Sequence, residues 1–489
     1  MGGIVSNNEV IEKFFYPNSV AIVGASRDRG KVGYQLLYNL MSRYKGKVYP
    51  VNPYVDNVLG VKAYPSVRAV PETIDLAVIS VPAPSVPSVL EDCGLRGVKS
   101  VIVISAGFKE LGTSEGIEAE KKIVEIARKY GMRVIGPNCM GVYVPKVGLN
   151  TTFLNPERMD FPCHGNIAFI SQSGAFGIAV LDWAAMRGIG ISKFVSLGNK
   201  CDVDESDLLN YLVGDDDTQV ITMYIEGLEN GRKFANTLKT VTPVKPVVVL
   251  KSGRSEEGVR AISSHTGSLA GADIVYDAVF RQYGALRAAG MDELFDIALS
   301  LSLQPPAKGN RVGILTVGGG SGVMATDAAV NLGLKVPKLS ERTVNKLREF
   351  LLPIASPFNP VDVTGSARDE HLINAVEVLM RSGEVDIIIW IPYFMAPGIS
   401  NDLAKNFTSV VKSINNELST PIPIVGAATG GRHTIKLSTI VESEGIPMYP
   451  SVERAAKAAW ALYKYGQWLI DNKAFNDYIS LYLKRSKNH

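Results

Sequence analysis

The chain has 489 residues, too many for one ordinary domain, and three domains at roughly 150 residues each is the natural expectation. Hydrophobic residues make up 46% and charged residues 20%, and 51 Lys+Arg against 48 Asp+Glu leave a net charge of +3, which gives no reason to expect a nucleic-acid or membrane partner. The four cysteines, Cys93, Cys139, Cys163 and Cys201, form no CxxC pair, so neither a zinc site nor a disulfide framework is indicated, and a reducing cytoplasm fits.

The start, Met1-Gly2-Gly3-Ile4-Val5-Ser6, lacks the basic and apolar regions of a signal peptide. It matches only the loose myristoylation pattern, and no apolar run is long enough to span a bilayer. The first predicted strand, Ser19 to Val23, runs into the turn Gly24-Ala25-Ser26-Arg27-Asp28-Arg29-Gly30, and a helix-like stretch follows over Gly33 to Leu40. The turn is not GxGxxG. The next strand, Lys47 to Val51, ends in Asn52-Pro53, where a dinucleotide site usually has an acidic residue for the ribose. Both departures argue for a nucleotide-type ligand other than NAD. Later strand ends at Ser80-Val81-Pro82 and Ser105-Ala106-Gly107, with Gly136-Pro137-Asn138-Cys139-Met140-Gly141, are expected to line one crevice at the sheet's carboxyl edge. Ordinary Gly/Pro turns capping strands would read the same way.

The strand-turn-helix device recurs twice. Ile167 to Ser171 leads into Gln172-Ser173-Gly174-Ala175 and a helix through Trp183, and Val312 to Val317 leads into Gly318-Gly319-Gly320-Ser321-Gly322. Each turn presents free N–H groups at a helix N-terminus, where phosphate-bearing ligands bind. The third turn could bind phosphate too, but close packing for its helix is the favoured reading. Further apolar runs, Val220 to Ile225, Val247 to Leu250, Ile387 to Ile391 and Ile422 to Val425, alternate with helical stretches, so the predicted class is α/β with three Rossmann- or flavodoxin-like parallel-sheet domains. The irregular stretch 146–166 and the segment Gln304-Pro305-Pro306-Ala307-Lys308-Gly309 place the boundaries at 1–147, 148–305 and 306–465, with a tail over 466–489. Three unrelated Rossmann-like modules would give the same pattern, so fold alone does not fix function.

His265 lies in Ser263-Ser264-His265-Thr266-Gly267-Ser268, with no Cys, His or carboxylate at metal-ligand spacing. A histidine on a small-residue loop with backbone N–H groups nearby suits an imidazole that carries a phosphoryl group, and a helix cap with a chance histidine is the plainer alternative. His164, His371, His433 and His489 have no motif around them. Glu226 follows the strand run 220–225, and alone it reads as a solvent-exposed strand-end glutamate.

Taken together, Val23-Gly24-Ala25-Ser26, Val51-Asn52-Pro53, Gly136-Pro137-Asn138-Cys139, Ser171-Gln172-Ser173-Gly174, Ser196-Leu197-Gly198-Asn199-Lys200, Tyr224-Ile225-Glu226-Gly227, Lys251-Ser252-Gly253-Arg254, the His265 segment, Gly318-Gly319-Gly320 and Asn359-Pro360-Val361-Asp362-Val363-Thr364-Gly365 resemble the ADP-forming (NDP-forming) acyl-CoA synthetases, relatives of succinyl-CoA synthetase. The resemblance covers nearly the whole chain. It implies CoA binding by Gly24, Ala25, Ser26, Arg27, Asn52, Pro53, Val81, Pro82, Ser105, Ala106, Gly107 and Asn138, and phosphate binding by Ser173, Gly174, Ala175, Thr266 and Gly267. It makes His265 the phosphorylated histidine and Glu226 its carboxylate partner. The loop 251–270 that carries His265 holds Gly253, Gly258 and Gly267, which would let it swing between two sites, and a rigid surface loop is the plainer alternative. Tyr54 departs from the lysine that many relatives carry after Asn-Pro.

The resemblance also implies a nucleotide site. The family needs an ATP-grasp module, and the residues after 465 are too few for one. The chain is therefore expected to be an α subunit of the acetate–CoA ligase type, with an ATP-grasp β partner in an α2β2 assembly. That partner would hold ADP or ATP with Mg2+, and no metal is expected on this chain. The expected reaction is acyl-CoA + ADP + phosphate ⇌ acid + CoA + ATP on a small acyl substrate, and a CoA-sensing module with decayed chemistry is the alternative. The intact pair His265 and Glu226 argues against that alternative.

Overall fold

The computed structural model describes residues 7–258, 260 and 272–486. The chain divides into two compact units, one formed by 1–241 with 249–283 and the other by 242–248 with 284–489.

The first unit contains a five-stranded parallel sheet in the order Lys47–Val51, Ser19–Val23, Leu76–Ile79, Ser100–Val103, Arg133–Ile135. Its inner strands are buried along their whole length, as expected where helices cover both faces of a parallel sheet. The strand order reverses at Ser19–Val23, and that switch point opens a crevice at the carboxyl edge. The first turn is tight. Gly24 has φ +94°, its N–H donates to the Val51 carbonyl at 3.0 Å, and a side chain there would also press on the Ser80 carbonyl. Helix Val32–Arg43 then packs so closely that a Cβ on Gly33 would stand 1.9 Å from the Gly24 carbonyl oxygen.

A second sheet of the same unit runs Val247–Lys251, Val220–Ile225, His164–Ser171, Ile191–Ser196, Val142–Val144, Leu149–Asn150. The strands around His164–Ser171 are parallel, and two antiparallel strands, Val142–Val144 and Leu149–Asn150, extend the sheet. Leu149–Asn150 therefore falls in the stretch expected to be irregular. A two-residue strand between Gly148 and Thr151 is too short to show a period of two in the sequence. Here too the order reverses at the central strand, and helix Gly174–Met186 starts at its carboxyl end.

The second unit holds a parallel sheet in the order Val361–Asp362, Val312–Thr316, Ile387–Ile391, Ile424–Ala427, Met448–Tyr449. Its core stacks Trp390 on Phe407, with ring centroids 3.8 Å apart. Asn359 donates to the Val312 and Pro337 carbonyls and accepts from Ile314 N, which fixes the entry to the edge strand. Helix Gly319–Asn331 follows the third glycine turn, where a Cβ on Gly322 would meet Pro360 and Thr316 at 3.1 Å. Close packing is thus one reason for glycine there. Helix Val452–Asp471 continues through position 465, and helix Phe475–Ser486 ends the described chain.

These glycines differ in what they tolerate. Gly33→Ala forces a methyl group onto a backbone carbonyl and is expected to cost about 1–3 kcal/mol, as overpacking does. Gly320→Ala meets no atom within 4 Å and is expected to leave stability unchanged or raise it. The unfolding midpoints of the two full-length variants check the contrast.

Candidate functional site

The carboxyl edges of the first two sheets share one cleft of about 1570 Å³ within the first unit. Gly24, Ala25, Ser26, Asn52, Pro53, Val81, Pro82, Ser105, Ala106 and Asn138 line it, as do Ser173, Gly174, Ala175 and Glu226. Arg27 and Gly107 are not among the lining residues. Arg27 Nε donates to the Asn57 carbonyl at 2.9 Å, and Gly107 N donates to Glu110 Oε1 at 2.5 Å. His265, Thr266 and Gly267 lie outside the described residues.

Asn52 has a local structural task. Its Nδ2 donates to the Ala25 carbonyl at 2.7 Å and its Oδ1 accepts from Tyr54 N at 2.8 Å. An amide can do both and a carboxylate cannot, which supplies a physical reason for Asn at this strand end. Tyr54 then stands 90% exposed at the cleft wall. Ser105 Oγ donates to the Val81 carbonyl at 2.5 Å, so two adjacent strand ends are tied together. Asn138 adopts φ +56°, a left-handed conformation that asparagine tolerates, and its N–H donates to the Ser105 carbonyl.

On the second sheet, Ser173 caps helix Gly174–Met186 by accepting from Phe176 N at 3.3 Å. The first-turn residues Gly174 and Ala175 face the cleft, with the positive end of the helix dipole behind them. A Cβ on Gly174 would lie 2.8 Å from Met140, so this turn also packs too tightly for a larger residue. Glu226 follows strand Val220–Ile225 and is half-buried. Gln172 holds it there. Its Oε1 accepts from Glu226 N at 2.7 Å and Gly227 N at 3.1 Å, and its Nε2 donates to the Gly227 carbonyl at 2.8 Å and to Glu205. Lys200 donates to Glu205 and to the same Gly227 carbonyl, both at 2.9 Å. Burial raises the Tyr224 hydroxyl pKa above its usual value, and the Glu226 charge adds to the effect.

Sequence reasoning assigned no role to several neighbours. Glu110 and Glu120 both accept from Asn199 Nδ2, at 2.5 and 2.8 Å, and Asn199 Oδ1 accepts from Asn138 Nδ2 at 3.3 Å. Burial works against the Glu110 charge, yet donors from Gly107, Phe108 and Asn199 hold its pKa below the ordinary value. Burial raises that of Glu120 instead, and the Glu110 charge contributes. Lys109 forms an ion pair with Glu229 at 2.6 Å, and both line the cleft. Gln172, Asn199 and Lys200 stood inside recognised motifs, whereas Lys109 and Glu229 carried no signal of their own. Among the described residues no cluster of His, Cys, Asp and Glu could hold a metal ion, and no helix is long and apolar enough to cross a membrane.

Three family models match the chain: a CoA binding domain over 18–145, a succinyl-CoA ligase like flavodoxin domain over 164–301 and a ligase-CoA domain over 312–468. The chain is 44% identical to the acetate–CoA ligase [ADP-forming] II subunit alpha of Pyrococcus furiosus, over 93% of this chain and 97% of that one. It is also 44% identical to the acetate–CoA ligase [ADP-forming] I of Archaeoglobus fulgidus, over 94% of this chain but only 64% of that longer protein. The solved dinucleotide forming acetyl-coenzyme A synthetase 1 of Ca. Korarchaeum cryptofilum, in complex with phosphate and ADP, superposes with a TM-score of 0.86 at 39% identity, over 94% of this chain and 98% of that one.

Asn52→Asp replaces the donor to the Ala25 carbonyl with a second acceptor. CoA affinity of the full chain is expected to fall about tenfold or more, and NAD binding is not expected to appear, because the first turn is unchanged. Calorimetric titration with both ligands checks this.

Proposed function

The chain belongs to the ADP-forming acetate–CoA ligases, a branch of the succinyl-CoA ligase-like proteins, and on that premise we propose that it is the α subunit of an enzyme interconverting acyl-CoA, ADP and phosphate with a carboxylic acid, CoA and ATP. One observation carries the reading: a single cleft joins the first-sheet turns to the Ser173 helix terminus and Glu226. A ligand stretched along it places its nucleotide on the first turn and its thioester beside the second. We assign CoA to Gly24, Ala25, Ser26, Asn52, Pro53, Val81, Pro82, Ser105, Ala106 and Asn138, with Arg27 and Gly107 at the margins. We place the module boundaries at 147/148 and 305/306, with the third module running on through helix Val452–Asp471, past position 465.

The chemistry proceeds in three steps. A phosphate oxygen held by the N–H groups at Ser173, Gly174 and Ala175 attacks the thioester carbonyl. A C–O bond forms, the C–S bond breaks, and the CoA sulfur leaves as thiolate, taking up the proton phosphate gives up. Next, a neutral nitrogen of His265 attacks the phosphorus of the acyl phosphate, and the carboxylate departs. Glu226, on the other ring nitrogen, fixes the tautomer and stabilises the charged phosphoimidazole. Thr266 and Gly267 hold the phosphoryl oxygens. Finally the phosphorus–nitrogen bond breaks as ADP takes the phosphoryl group. That last step needs a nucleotide site. Relatives with subunit names match over nearly their full length, and the longer single-chain relatives extend beyond the matched part. We therefore assign ADP, ATP and Mg2+ to an ATP-grasp β subunit, in an α2β2 assembly, in the cytoplasm.

Incubation of the chain with acetyl-CoA and radiolabelled phosphate is expected to give one acid-labile, base-stable covalent label. His265→Ala and His265→Asn are expected to abolish it, and Glu226→Gln to lower it about tenfold or more, within the range for loss of a general acid–base group. ATP synthesis is expected only after the β subunit is added. An acid-stable label, label in His265→Ala, or ATP made by the chain alone would contradict the assignment.

A further inference from the structure

Three lysines line the cleft: Lys31, Lys109 and Lys200. Lys200 is committed, being nearly buried against the buried Glu205 and the Gly227 carbonyl. Lys31 belongs to the first-sheet turn, before helix Val32–Arg43. Lys109 is placed differently. Its backbone is fixed, because its N–H donates to Glu120 and the adjoining Glu110 ties Gly107, Phe108 and Asn199 together. Its ammonium group is held by Glu229 at 2.6 Å. Among the described residues Lys109 is the one partner of the Glu229 carboxylate, whose side chain is 64% exposed. Such a pair is weak, because water competes for the exposed partner. Glu229 stands three residues beyond Glu226, whose N–H is bonded to Gln172, the neighbour of Ser173. Lys109 and Glu229 line the same cleft as Ser173, Gly174, Ala175 and Glu226.

We propose that Lys109 is a phosphate-binding residue held in reserve by a displaceable counter-ion: it pairs with Glu229 when the site is empty and transfers to the phosphate oxygens when phosphate enters, releasing Glu229 to solvent. The exchange spares the cleft an unpaired cation. It also sets affinity, since phosphate must compete with Glu229 for the ammonium group. This rests on the acyl-CoA synthetase reading above, which supplies phosphate as the substrate.

The two partners then have opposite effects, which a purely structural tie cannot produce, because either change breaks the same ion pair. Equilibrium dialysis of the full chain with radiolabelled phosphate, with CoA calorimetry in parallel, tests this. Lys109→Met is expected to weaken phosphate binding about tenfold or more, since a charge-assisted hydrogen bond is lost, and Lys109→Arg to retain most of it. Glu229→Gln is expected to tighten phosphate binding about twofold to fivefold, since the competitor is gone. If Lys109→Met does not fold, the tightening in Glu229→Gln and the retention in Lys109→Arg still decide. Weakening in both Lys109→Met and Glu229→Gln overturns the exchange, and so does an effect confined to CoA. A wild-type chain that binds CoA but not phosphate overturns the exchange alone. A chain that binds neither overturns the proposed function with it.

Discussion

The side-chain amide of Gln172 joins the strand end that carries Glu226 to the turn that opens helix Gly174–Met186. Its oxygen accepts two backbone N–H groups, from Glu226 and Gly227, and its nitrogen donates to the Gly227 carbonyl and to Glu205. No charged side chain could play both parts, because a carboxylate only accepts and an ammonium only donates. Parallel pairing of Ser171 with Tyr224 brings the proposed phosphate turn and the proposed carboxylate partner side by side, and the Gln172 amide locks the two strand ends together. Lys200 and Glu205 brace it from below, as a buried ion pair that also holds the Gly227 carbonyl.

The same device, a neutral amide bridging two strand ends, recurs around the cleft. Asn52 ties the second strand end to the first turn, and Asn199 ties Glu110 and Glu120 to Asn138. Neutral bridges suit a cleft proposed to hold anions. They fix geometry without adding negative charge, and two of the acidic groups lining the cleft, Glu110 and Glu229, are held by donors. Glu110 accepts from three donors and Glu229 is paired with Lys109, while Glu205, outside the lining, is paired with Lys200. Parallel sheets make such a cleft possible, because every strand delivers its carboxyl end to the same edge.

Local motifs were readable wherever one short segment carried its own reason. Gly24 marks a turn into a helix, and the structure shows a positive φ there; that Gly33 is packed against the Gly24 carbonyl, 1.9 Å from a missing methyl group, came only from the structure. Buried strands such as Leu76–Ile79 and Ile387–Ile391 are continuous apolar runs, the pattern of a sheet covered on both faces. The strand Leu149–Asn150 was not readable, since two residues have no period. The turn at Gly318 was readable as a helix start, and the packing role favoured for it over phosphate agrees with the tight surroundings of Gly322. The close approach of Gly322 to Pro360 joins residues remote from each other in the chain.

The sequence by itself determined the α/β class, the three glycine turns and, through ordered motifs, the family, because each depends on residues adjacent in the chain. Only the tertiary structure decided which strand ends share a cleft and how the charges within it are paired. Lys109 and Glu229 are 120 residues apart, and nothing local marks either one. Asn138 meets Asn199 across 61 residues, and Gln172 meets Glu226 across 54. Sheet order brings these pairs together, and sheet order is fixed by the packing of whole helices and strands rather than by any short run of residues.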